Sequence, residues 1–442
     1  MLDVKLLRQE PELLREELNK RNLKDMPASL VDDFLALDEK YRNLLAKKEE
    51  YERRKNEFSR EIVKIKDKSE KEKMIREMRE GKDAAEKMLG QNLKDLEKKV
   101  NDLLFRFPNL SDPSVPPGRD ASENQVDHQW GKKTKFNFKP KDYLELGEKL
   151  DIIDVKKAGA VSGTRFGYLK GGLARLEFAL VQLAFDTLTN GKIIQKIAAS
   201  VDKKHSAKTF VPIVPPVMIK PEVYTRMARL SEEDKNERYY IPSDDIYLVG
   251  SSEHTLGPLH MDETLAEEDL PKRYCGFSTC FRREAGSYGK DTKGILRVHQ
   301  FDKVEIVSFS LPEDSRTEQN FIVAIQEYLM QSLKIPYQVI KICSGDMGRP
   351  DARQIDLESW LPGAGEYRET HTSDLNTDYQ ARRLNTRVKR KNGKTEIAHM
   401  NDATVFAIGR TLIAIIENYQ REDGSIEVPQ VLQKYCGLKE IK

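Results

Sequence analysis

Cysteine is scarce in this chain, which contains four cysteines among 442 residues. They have no Cys-x-x-Cys spacing, and the seven histidines add no zinc-finger pattern, so the sequence predicts neither a disulfide scaffold nor a structural zinc site. We expect reduced thiols that are mostly buried. The cysteines are Cys275, Cys280, Cys343 and Cys436.

Long apolar runs are also missing. No stretch approaches the roughly 20 apolar residues that a transmembrane helix needs. The first residues, MLDVKLLRQEPELL, lack the apolar segment of a signal peptide. We therefore expect a cytoplasmic protein that does not contact a membrane.

An excess of one sign of charge is likewise absent, since 75 Lys and Arg stand against 73 Asp and Glu, a net charge of +2. The charge is unevenly spread, however. Residues 1–110 contain 27 basic and 25 acidic residues, whereas the other 332 residues contain 48 of each. At roughly 150 residues per domain the length suggests about three units. The sequence indicates a highly charged N-terminal piece joined to an ordinary globular body.

Heptad repeats fill the N-terminal piece. Apolar residues from Phe34 to Ile65 alternate steps of three and four, and a second periodic run extends from Ile75 to Leu103. A polar turn at residues 66–69 separates the runs, which predicts an antiparallel two-helix coiled-coil arm. The prolines after residue 107 end the second helix. We assign residues 1–110 to the arm, 111–135 to a linker and 136–442 to the body.

The tip of the predicted arm is basic. Residues 53–82 contain 12 basic and 7 acidic residues, a local net charge of +5. A solvated coiled-coil face is one interpretation. An electrostatic binding surface for phosphates is the other, and the arm by itself leaves both open. The basic residues include Arg53, Arg54, Lys55, Arg60, Lys64, Lys71 and Arg76.

Two further segments of the body have a clear local pattern. Residues 175–189 show the broad apolar face of a helix, and residues 209–219 read as a strand interrupted by Pro215 and Pro216. Because proline cannot donate a ladder hydrogen bond, this strand is predicted to lie at a sheet edge or an interface.

A basic hairpin is predicted between residues 277 and 308. Alternating patterns at its two ends indicate antiparallel strands, joined by a loop rich in glycine. Arg282 enters the loop and Arg297 leaves it, and guanidinium groups match phosphate oxygens. The loop is thus a candidate polyphosphate site, with an ordinary hairpin bearing surface arginines as the alternative.

These segments together resemble a known family. FRREAGSYGKDTKGILRVHQFDKVE resembles motif 2 of the class II aminoacyl-tRNA synthetases, in detail that of seryl-tRNA synthetases, and AIGRTLIAIIENYQREDGSIEVPQVL resembles motif 3. The segment around Pro215 is similar to motif 1, and DYQARR is a further family signature. The resemblance implies an α+β fold, with a class II core of mostly antiparallel sheet flanked by helices and an N-terminal coiled-coil arm. Residues 136–442 would then form the catalytic domain.

The resemblance assigns residues to ATP. Arg282 would bind the α-phosphate and also the serine carboxylate, while Glu284 would contact the adenine amino group. Arg297 and the backbone of Val298 would face the nucleotide. The adenine ring would lie between Phe301 and the motif 3 arginine. The full implied ATP set is Arg282, Arg283, Glu284, Arg297, Val298, Phe301, Arg368, Glu369, Thr370, His371, Thr372 and Arg410, of which Arg282, Glu369 and Arg410 would be catalytic.

The resemblance also implies Mg²⁺ between the phosphates. Glu369 and Thr372 stand at the positions of the family's metal-binding carboxylate and hydroxyl, and oxygen donors are what Mg²⁺ prefers. The usual hydroxyl there is serine, and Thr372 keeps the oxygen. Arg368 would be a further phosphate partner. No zinc is expected.

The implied serine pocket includes Ser251, Ser252, Glu253, Arg282, Glu305, Asp402 and Thr404. Glu253 would face the substrate ammonium group, whereas Glu305 and Thr404 would bind the substrate hydroxyl. Such a site rejects analogues without the hydroxyl, because its own polar groups would be left unpaired. Two features depart from the family pattern: TSDLN replaces a Ser-Cys-Ser-Asn run, and Asp402 stands where asparagine is usual.

The resemblance implies the function of a homodimeric serine–tRNA ligase that uses ATP. It also implies serine tRNA and selenocysteine tRNA as RNA partners, bound by the basic tip of the arm. Two alternatives are a ligase that loads serine onto a carrier protein and a non-catalytic RNA-binding paralogue. The arm argues against the first alternative, and the presence of the motif residues argues against the second.

Overall fold

The fold is described from a computed structural model. It describes residues 1–23, 25–62, 67, 69, 71–72, 82–232, 234–285 and 293–442, with residues 82–89 described by backbone only. The predicted tRNA-binding residues Lys64 and Arg76, and most of the glycine-rich loop, lie outside the described residues. The chain forms two compact units, one of residues 2–108 and the other of residues 109–442 together with Met1.

The N-terminal unit is helical. The Asp3 side chain caps the first helix by accepting from the Lys5 N–H, and Pro11 opens the second helix at a position where no N–H donor is needed. These two short helices were not predicted from the sequence. The helices whose bounds the structure describes in this unit are α1 (Val4–Gln9), α2 (Pro11–Lys20), α3 (Leu30–Ile62) and α4 (Lys82–Arg106).

The two long helices, α3 and α4, pack against each other through the heptad positions. Phe34 and Phe107 are fully buried and meet edge to face, with 5.7 Å between their ring centroids. Val31, Leu93 and Val100 are also buried. The predicted coiled-coil arm is confirmed.

The second unit is built on an eight-stranded sheet with strand order β1-β11-β12-β13-β16-β10-β9-β4. Neighbouring strands are antiparallel except for β4 and β9, which are parallel. The predicted class II fold is confirmed. The strands of this sheet are β1 (Gln125–Trp130), β4 (Val211–Ile213), β9 (Lys272–Phe281), β10 (Gln300–Ser310), β11 (Tyr337–Lys341), β12 (Arg353–Leu361), β13 (Glu366–Thr377) and β16 (His399–Ala407).

Shorter strands form small sheets around the large one. They are β2 (Ile153–Asp154), β3 (Tyr168–Leu169), β5 (Met218–Ile219), β6 (Tyr240–Ile241), β7 (Ile246–Leu248), β8 (Thr264–Ala266), β14 (Arg387–Lys389), β15 (Thr395–Ile397), β17 (Ile426–Glu427) and β18 (Glu440–Ile441). The helices of this unit are α5 (Tyr143–Lys149), α6 (Val155–Ser162), α7 (Gly171–Thr189), α8 (Gly191–Val201), α9 (Pro221–Arg226), α10 (Asp234–Glu237), α11 (Glu253–Leu256), α12 (Ser315–Ser332), α13 (Tyr379–Leu384), α14 (Ile408–Asn418) and α15 (Gln430–Cys436), with short 3-10 helices at Ala121–Glu123, Gly257–His260 and Glu267–Asp269.

Helix α12 covers one face of the large sheet. Its buried Phe321, Ile325 and Leu329 belong to one apolar cluster with Ile306 and Val405 of the strands. Because side chains alternate between the two faces of a strand, the residues next to these in sequence point to the other face. That other face carries the polar side chains described below.

The predicted linker, residues 111–135, is held by backbone hydrogen bonds. The Asp112 N–H donates to the Ala352 carbonyl, and Pro116 accepts from the Ser344 N–H. Residues of β1 within this segment pair with β11 at an edge of the sheet. Prolines exclude a helix here, but they do not prevent extended backbone from pairing with a neighbouring strand.

All four cysteines are free and buried. Among the helices that the structure describes, none is both long and apolar enough to cross a membrane.

Candidate active site

A cavity of about 610 Å³ opens on the polar face of the large sheet. It brings together residues of the predicted motifs 2 and 3 and of the predicted serine pocket. The predicted residues that line it are Glu253, Arg282, Glu284, Arg297, Val298, Phe301, Glu305, Glu369, Thr370, Thr372, Asp402, Thr404 and Arg410.

Strand register explains why distant residues meet in this cavity. Glu305 of β10 lies opposite Thr404 of β16, and Asp402 of β16 lies opposite Asp374 of β13. Side chains directly opposite each other on antiparallel strands have Cβ atoms roughly 5 Å apart. Three neighbouring strands therefore present carboxylates and hydroxyls to one volume.

Glu305 is the centre of the predicted hydroxyl-binding group. Its Oε1 accepts hydrogen bonds from Ser251 Oγ at 3.0 Å and from Thr404 Oγ1 at 3.3 Å, and the same oxygen pairs with the Lys303 ammonium. All four side chains are buried. The result is a preorganised set of donors and acceptors at the wall of the cavity.

Glu253, the first residue of α11, lies at another part of the cavity wall. Burial favours the neutral acid, but Arg229, whose Nε donates to Glu253 Oε1 at 2.7 Å, together with Lys303 and Arg282 outweighs it and lowers the pKa of Glu253. The carboxylate is thus held ionised and can receive a cation.

The arginines of the motif 2 hairpin lie beside an aromatic ring. Arg282 Nε donates to the Gly250 carbonyl at 3.0 Å, and its guanidinium carbon lies 5.4 Å from the centre of the Phe301 ring. Arg297 Nη1 donates to Glu284 Oε2 at 2.7 Å. Glu284 has a left-handed backbone with φ of 52°, a conformation that is rare outside glycine and recurs at functional sites.

Motif 3 contributes Arg410 from the first turn of α14. Its Nη1 lies 3.0 Å from both the backbone oxygen and Oε1 of Glu369. Removal of the carboxylate from water would raise the pKa of Glu369, but the Arg410 guanidinium together with Arg282 and Lys303 outweighs this effect and lowers the pKa. Thr372 Oγ1 donates to Glu369 Oε1 at 3.4 Å, so a carboxylate and a hydroxyl stand side by side.

A β-bulge brings Glu369 and Thr372 together. Glu369 pairs with Glu358 and His371 pairs with Leu357, which leaves Thr370 as an extra residue on β13. In a regular strand, residues three apart point to opposite faces, and the inserted residue restores them to the same face. The oxygen pair is therefore a product of the irregular register.

Five residues of the implied ATP and serine sets do not line the cavity. Ser251 and Ser252 are buried behind it, where Ser251 supports Glu305 and Ser252 Oγ donates to the Gly276 carbonyl at 3.5 Å. Arg283 lies outside it, where Nε donates to the Arg238 carbonyl and the guanidinium covers the Tyr239 ring.

Two further implied ATP residues that do not line the cavity, Arg368 and His371, are on β13. Arg368 is part-exposed, and its Nε donates to Glu366 Oε1 at 2.7 Å. His371 is buried against Phe406, and burial lowers its pKa to about 3, so the ring is neutral. Both positions are explained by the alternation of side chains along the strand, because each residue is next to one that faces the cavity and so points to the other face.

Several cavity residues were missed by the sequence analysis, namely Arg229, Glu237, Arg238, Lys303 and Asp374. Lys303 could have been predicted from the sequence, because it lies two residues before Glu305 on a predicted strand and so shares the same face. Asp374 could have been predicted in the same way from Thr372. Arg229 could not, since it lies in a turn after α9 that no local pattern connects to the motifs.

Comparison with known proteins gives concordant results over the whole chain. Residues 1–111 match the family described as "Seryl-tRNA synthetase N-terminal domain", and residues 236–419 match "tRNA synthetase class II core domain (G, H, P, S and T)". The serine–tRNA ligase of Dictyoglomus turgidum is 40% identical over 442 residues, which cover 100% of this chain and 99% of that protein. The serine–tRNA ligase of Nitrosopumilus maritimus is 37% identical, with 99% of each chain covered.

Solved structures agree. The seryl-tRNA synthetase of Pyrococcus horikoshii, complexed with ATP, matches with a TM-score of 0.86 and 35% identity, covering 100% of this chain and 99% of that one. The cytoplasmic serine–tRNA ligase of Naegleria fowleri, in complex with AMP, matches with a TM-score of 0.82 and 32% identity over the same shares. With an identity above 30% along the full length, the chain belongs to the seryl-tRNA synthetase family.

Proposed function

We propose that the chain is a serine–tRNA ligase. It activates serine with ATP to give seryl-adenylate and pyrophosphate, and it then transfers the seryl group to the 3′ end of serine tRNA. The observation that carries the proposal is the single cavity in which the residues of motifs 2 and 3 meet a hydroxyl-binding group. The cytoplasm, where tRNA and ATP are available, is the proposed compartment.

The first step is an attack of the serine carboxylate oxygen on the α-phosphorus of ATP, which expels pyrophosphate. Arg282 binds both the carboxylate and the α-phosphate, so it aligns the reactants and offsets the charge that develops between them. Arg297 binds the terminal phosphates once it releases Glu284. Glu284 then accepts a hydrogen bond from the adenine amino group.

The adenine ring stacks between Phe301 and Arg410, a face of an aromatic ring and a guanidinium plane. Phe301 is half-buried beside the Arg282 guanidinium, and Arg410 is anchored at Glu369. The two side chains line the same cavity, which supports this assignment.

Mg²⁺ fits the pair formed by Glu369 and Thr372. Within the described residues no group of three or more His, Cys, Asp or Glu side chains could hold a metal ion. A carboxylate and a neighbouring hydroxyl are nevertheless a suitable partial ligand set, because Mg²⁺ at nucleotide sites takes its remaining ligands from phosphates and water. Bound there, the ion would neutralise phosphate charge.

Serine is selected by its polar groups. Glu253 receives the ammonium group, and Glu305 with Thr404 binds the side-chain hydroxyl. An amino acid without the hydroxyl cannot supply the hydrogen bonds that serine makes with the buried Glu305 and Thr404, which discriminates against alanine.

The arm is the proposed binding surface for tRNA. Arg53, Arg54 and Arg60 are exposed on α3, where they can reach phosphates. Lys55 and Lys71 are part-exposed. The interpretation as a phosphate-binding surface is now preferred over a merely solvated helix face, and selenocysteine tRNA is a proposed second substrate.

The proposed homodimer uses the motif 1 segment. Phe178 of α7 and Val214 after β4 are 66% and 84% exposed. Apolar side chains exposed to this extent on adjoining elements are typical of an interface. The edge strand β4 with its following prolines lies in the same region of the fold.

The test is serine-dependent exchange of pyrophosphate into ATP, followed by charging of serine tRNA transcripts. The proposal expects both activities. Exchange without tRNA charging would favour the carrier-protein ligase, and the absence of exchange with serine would favour the non-catalytic RNA-binding paralogue.

Arg282→Ala tests the site. We expect it to lower kcat/KM for exchange by roughly 10²–10³-fold, as for the loss of one preorganised charge-stabilising donor. Arg283→Ala, which removes a neighbouring guanidinium outside the cavity, is the matched control and is expected to retain most of the activity. Undiminished exchange by the Arg282 variant would contradict the assignment.

A further inference from the structure

Arg229 is a part-buried guanidinium at the cavity wall, with 16% of its side chain exposed. Four carboxylates from separate chain segments surround it. Nε lies 2.7 Å from Glu253 Oε1, and Nη2 lies 3.7 Å from Asp351, 3.8 Å from Asp374 and 3.6 Å from Asp402. Arg229 therefore links α11, the loop before β12, and strands β13 and β16.

Four carboxyl groups share the single guanidinium group of Arg229. Asp374 and Asp402 are directly opposite each other on β13 and β16, and both are buried. Like charges in that position destabilise a sheet. Burial and the neighbouring acids raise the pKa of both carboxyls, whereas Arg229, which reaches both, favours their ionised forms. Its guanidinium thus makes an acid acceptable at position 402, where the family usually has an asparagine.

The backbone supports the placement of Arg229. Ala228 has φ of 59°, in the left-handed region, and the Arg229 N–H then donates to the Tyr224 carbonyl at 3.4 Å. A residue other than glycine rarely adopts this conformation, which persists where the surroundings enforce it. The turn aims Arg229 back at the cavity.

We propose that Arg229 is a positioning residue for the amino acid. It holds the Glu253 carboxylate in place for the substrate ammonium group, and it forms a charge couple with Asp402. The inference rests on the proposed function, since it concerns the serine side of that site. Loss of Arg229 leaves Glu253 and the neighbouring carboxyls without the cation that they share, whereas a second change of Asp402 to asparagine removes one of those crowded acids.

The experiment measures the KM for serine and the KM for ATP in pyrophosphate exchange. Arg229→Gln is expected to raise the KM for serine by about tenfold or more while the KM for ATP stays within about twofold. The double variant Arg229→Gln with Asp402→Asn is expected to have a KM for serine at least about threefold lower than that of Arg229→Gln alone. Arg229→Lys keeps the positive charge but loses the planar guanidinium that can donate to several carboxylates at once. Its KM for serine is expected to lie between those of Arg229→Gln and the unaltered protein.

Arg226→Gln is the matched control. Arg226 lies at the end of α9, three residues before Arg229, and it pairs with the exposed Asp262 outside the cavity. We expect it to leave the KM for serine unchanged, and thermal unfolding of every variant shows which are folded.

Three outcomes are decisive. An equal rise in both KM values would assign Arg229 a general structural role and overturn the inference. So would a double variant no better than Arg229→Gln alone. Absence of exchange in the unaltered protein would instead refute the proposed function, which keeps the two failures apart.

Discussion

At the residue scale, a fully buried ion pair outside the cavity joins β9 to α12. Arg273 donates from Nε and Nη2 to the two oxygens of Glu318 at 2.6 and 2.7 Å, and Ser308 Oγ donates to Glu318 Oε1 at 2.6 Å. Burial would raise the pKa of Glu318, but Arg273 and the hydrogen bonds outweigh it and lower the pKa to about 2. The carboxylate is thus stabilised in its ionised form.

Glu318→Gln should lower the free energy of unfolding by roughly 3–5 kcal/mol, because it leaves the buried guanidinium of Arg273 without its counter-charge. Urea denaturation measures the change. Glu145→Gln removes the carboxylate of the exposed pair with Lys141 and is expected to change stability little. Equal effects of the two variants would contradict the prediction.

The same pair predicts a dependence on pH. The pKa of Glu318 is depressed from its ordinary value of 4.5 to about 2 in the folded protein. Its stabilisation, about 3 kcal/mol, is therefore complete above pH 4.5 and is lost as the pH falls through 4.5 toward 2. Over that window the unaltered protein should lose more stability than Glu318→Gln. Parallel curves for the two proteins would refute this.

At the scale of elements, the basic surface on α3 can be tested by a triple variant. Replacement of Arg53, Arg54 and Arg60 by alanine should raise the KM for serine tRNA by on the order of tenfold and reduce the salt dependence of binding, because about one unit of slope is lost with each phosphate contact. Pyrophosphate exchange should change little, since the described residues that line the cavity all belong to the second unit.

A matched triple variant on α4 serves as the control. Lys94, Lys98 and Lys99 are exposed on the same arm but lie outside residues 53–82. Their replacement by alanine removes the same charge and should affect tRNA charging much less. Equal losses from the two triple variants would indicate a non-specific charge effect, and loss of exchange would refute the assigned role of the arm.

At the scale of the whole molecule, the proposed dimer depends on exposed apolar side chains near β4. Val214→Asp should shift the protein from dimer to monomer in light scattering, because a charge in the core of an interface is desolvated without a partner. Val126→Asp is the control, since Val126 is exposed on β1 at the opposite edge of the same sheet. A Val214 variant that remains dimeric would exclude this surface.

Fold and site differ in how far they were predictable. The heptads predicted the arm helices, and alternation predicted β9 and β10, because both periods are local properties of the chain. Helices α1 and α2 are too short for a clear period, and the pairing of β1 with β11 depends on a distant strand. Most of the implied ATP and serine residues do line the cavity, but Ser251, Ser252, Arg283, Arg368 and His371 do not.

The sequence by itself determined the family, the charged arm and the identity of the chemical groups, because motifs, heptad repeats and strand alternation are properties of residues close together in the chain. Only the tertiary structure decided which groups meet. The bulge at Thr370 places Glu369 beside Thr372, and the register of β13 and β16 places Asp374 opposite Asp402 around Arg229. Register and turn geometry arise from contacts between segments far apart in the chain, and local patterns do not encode them.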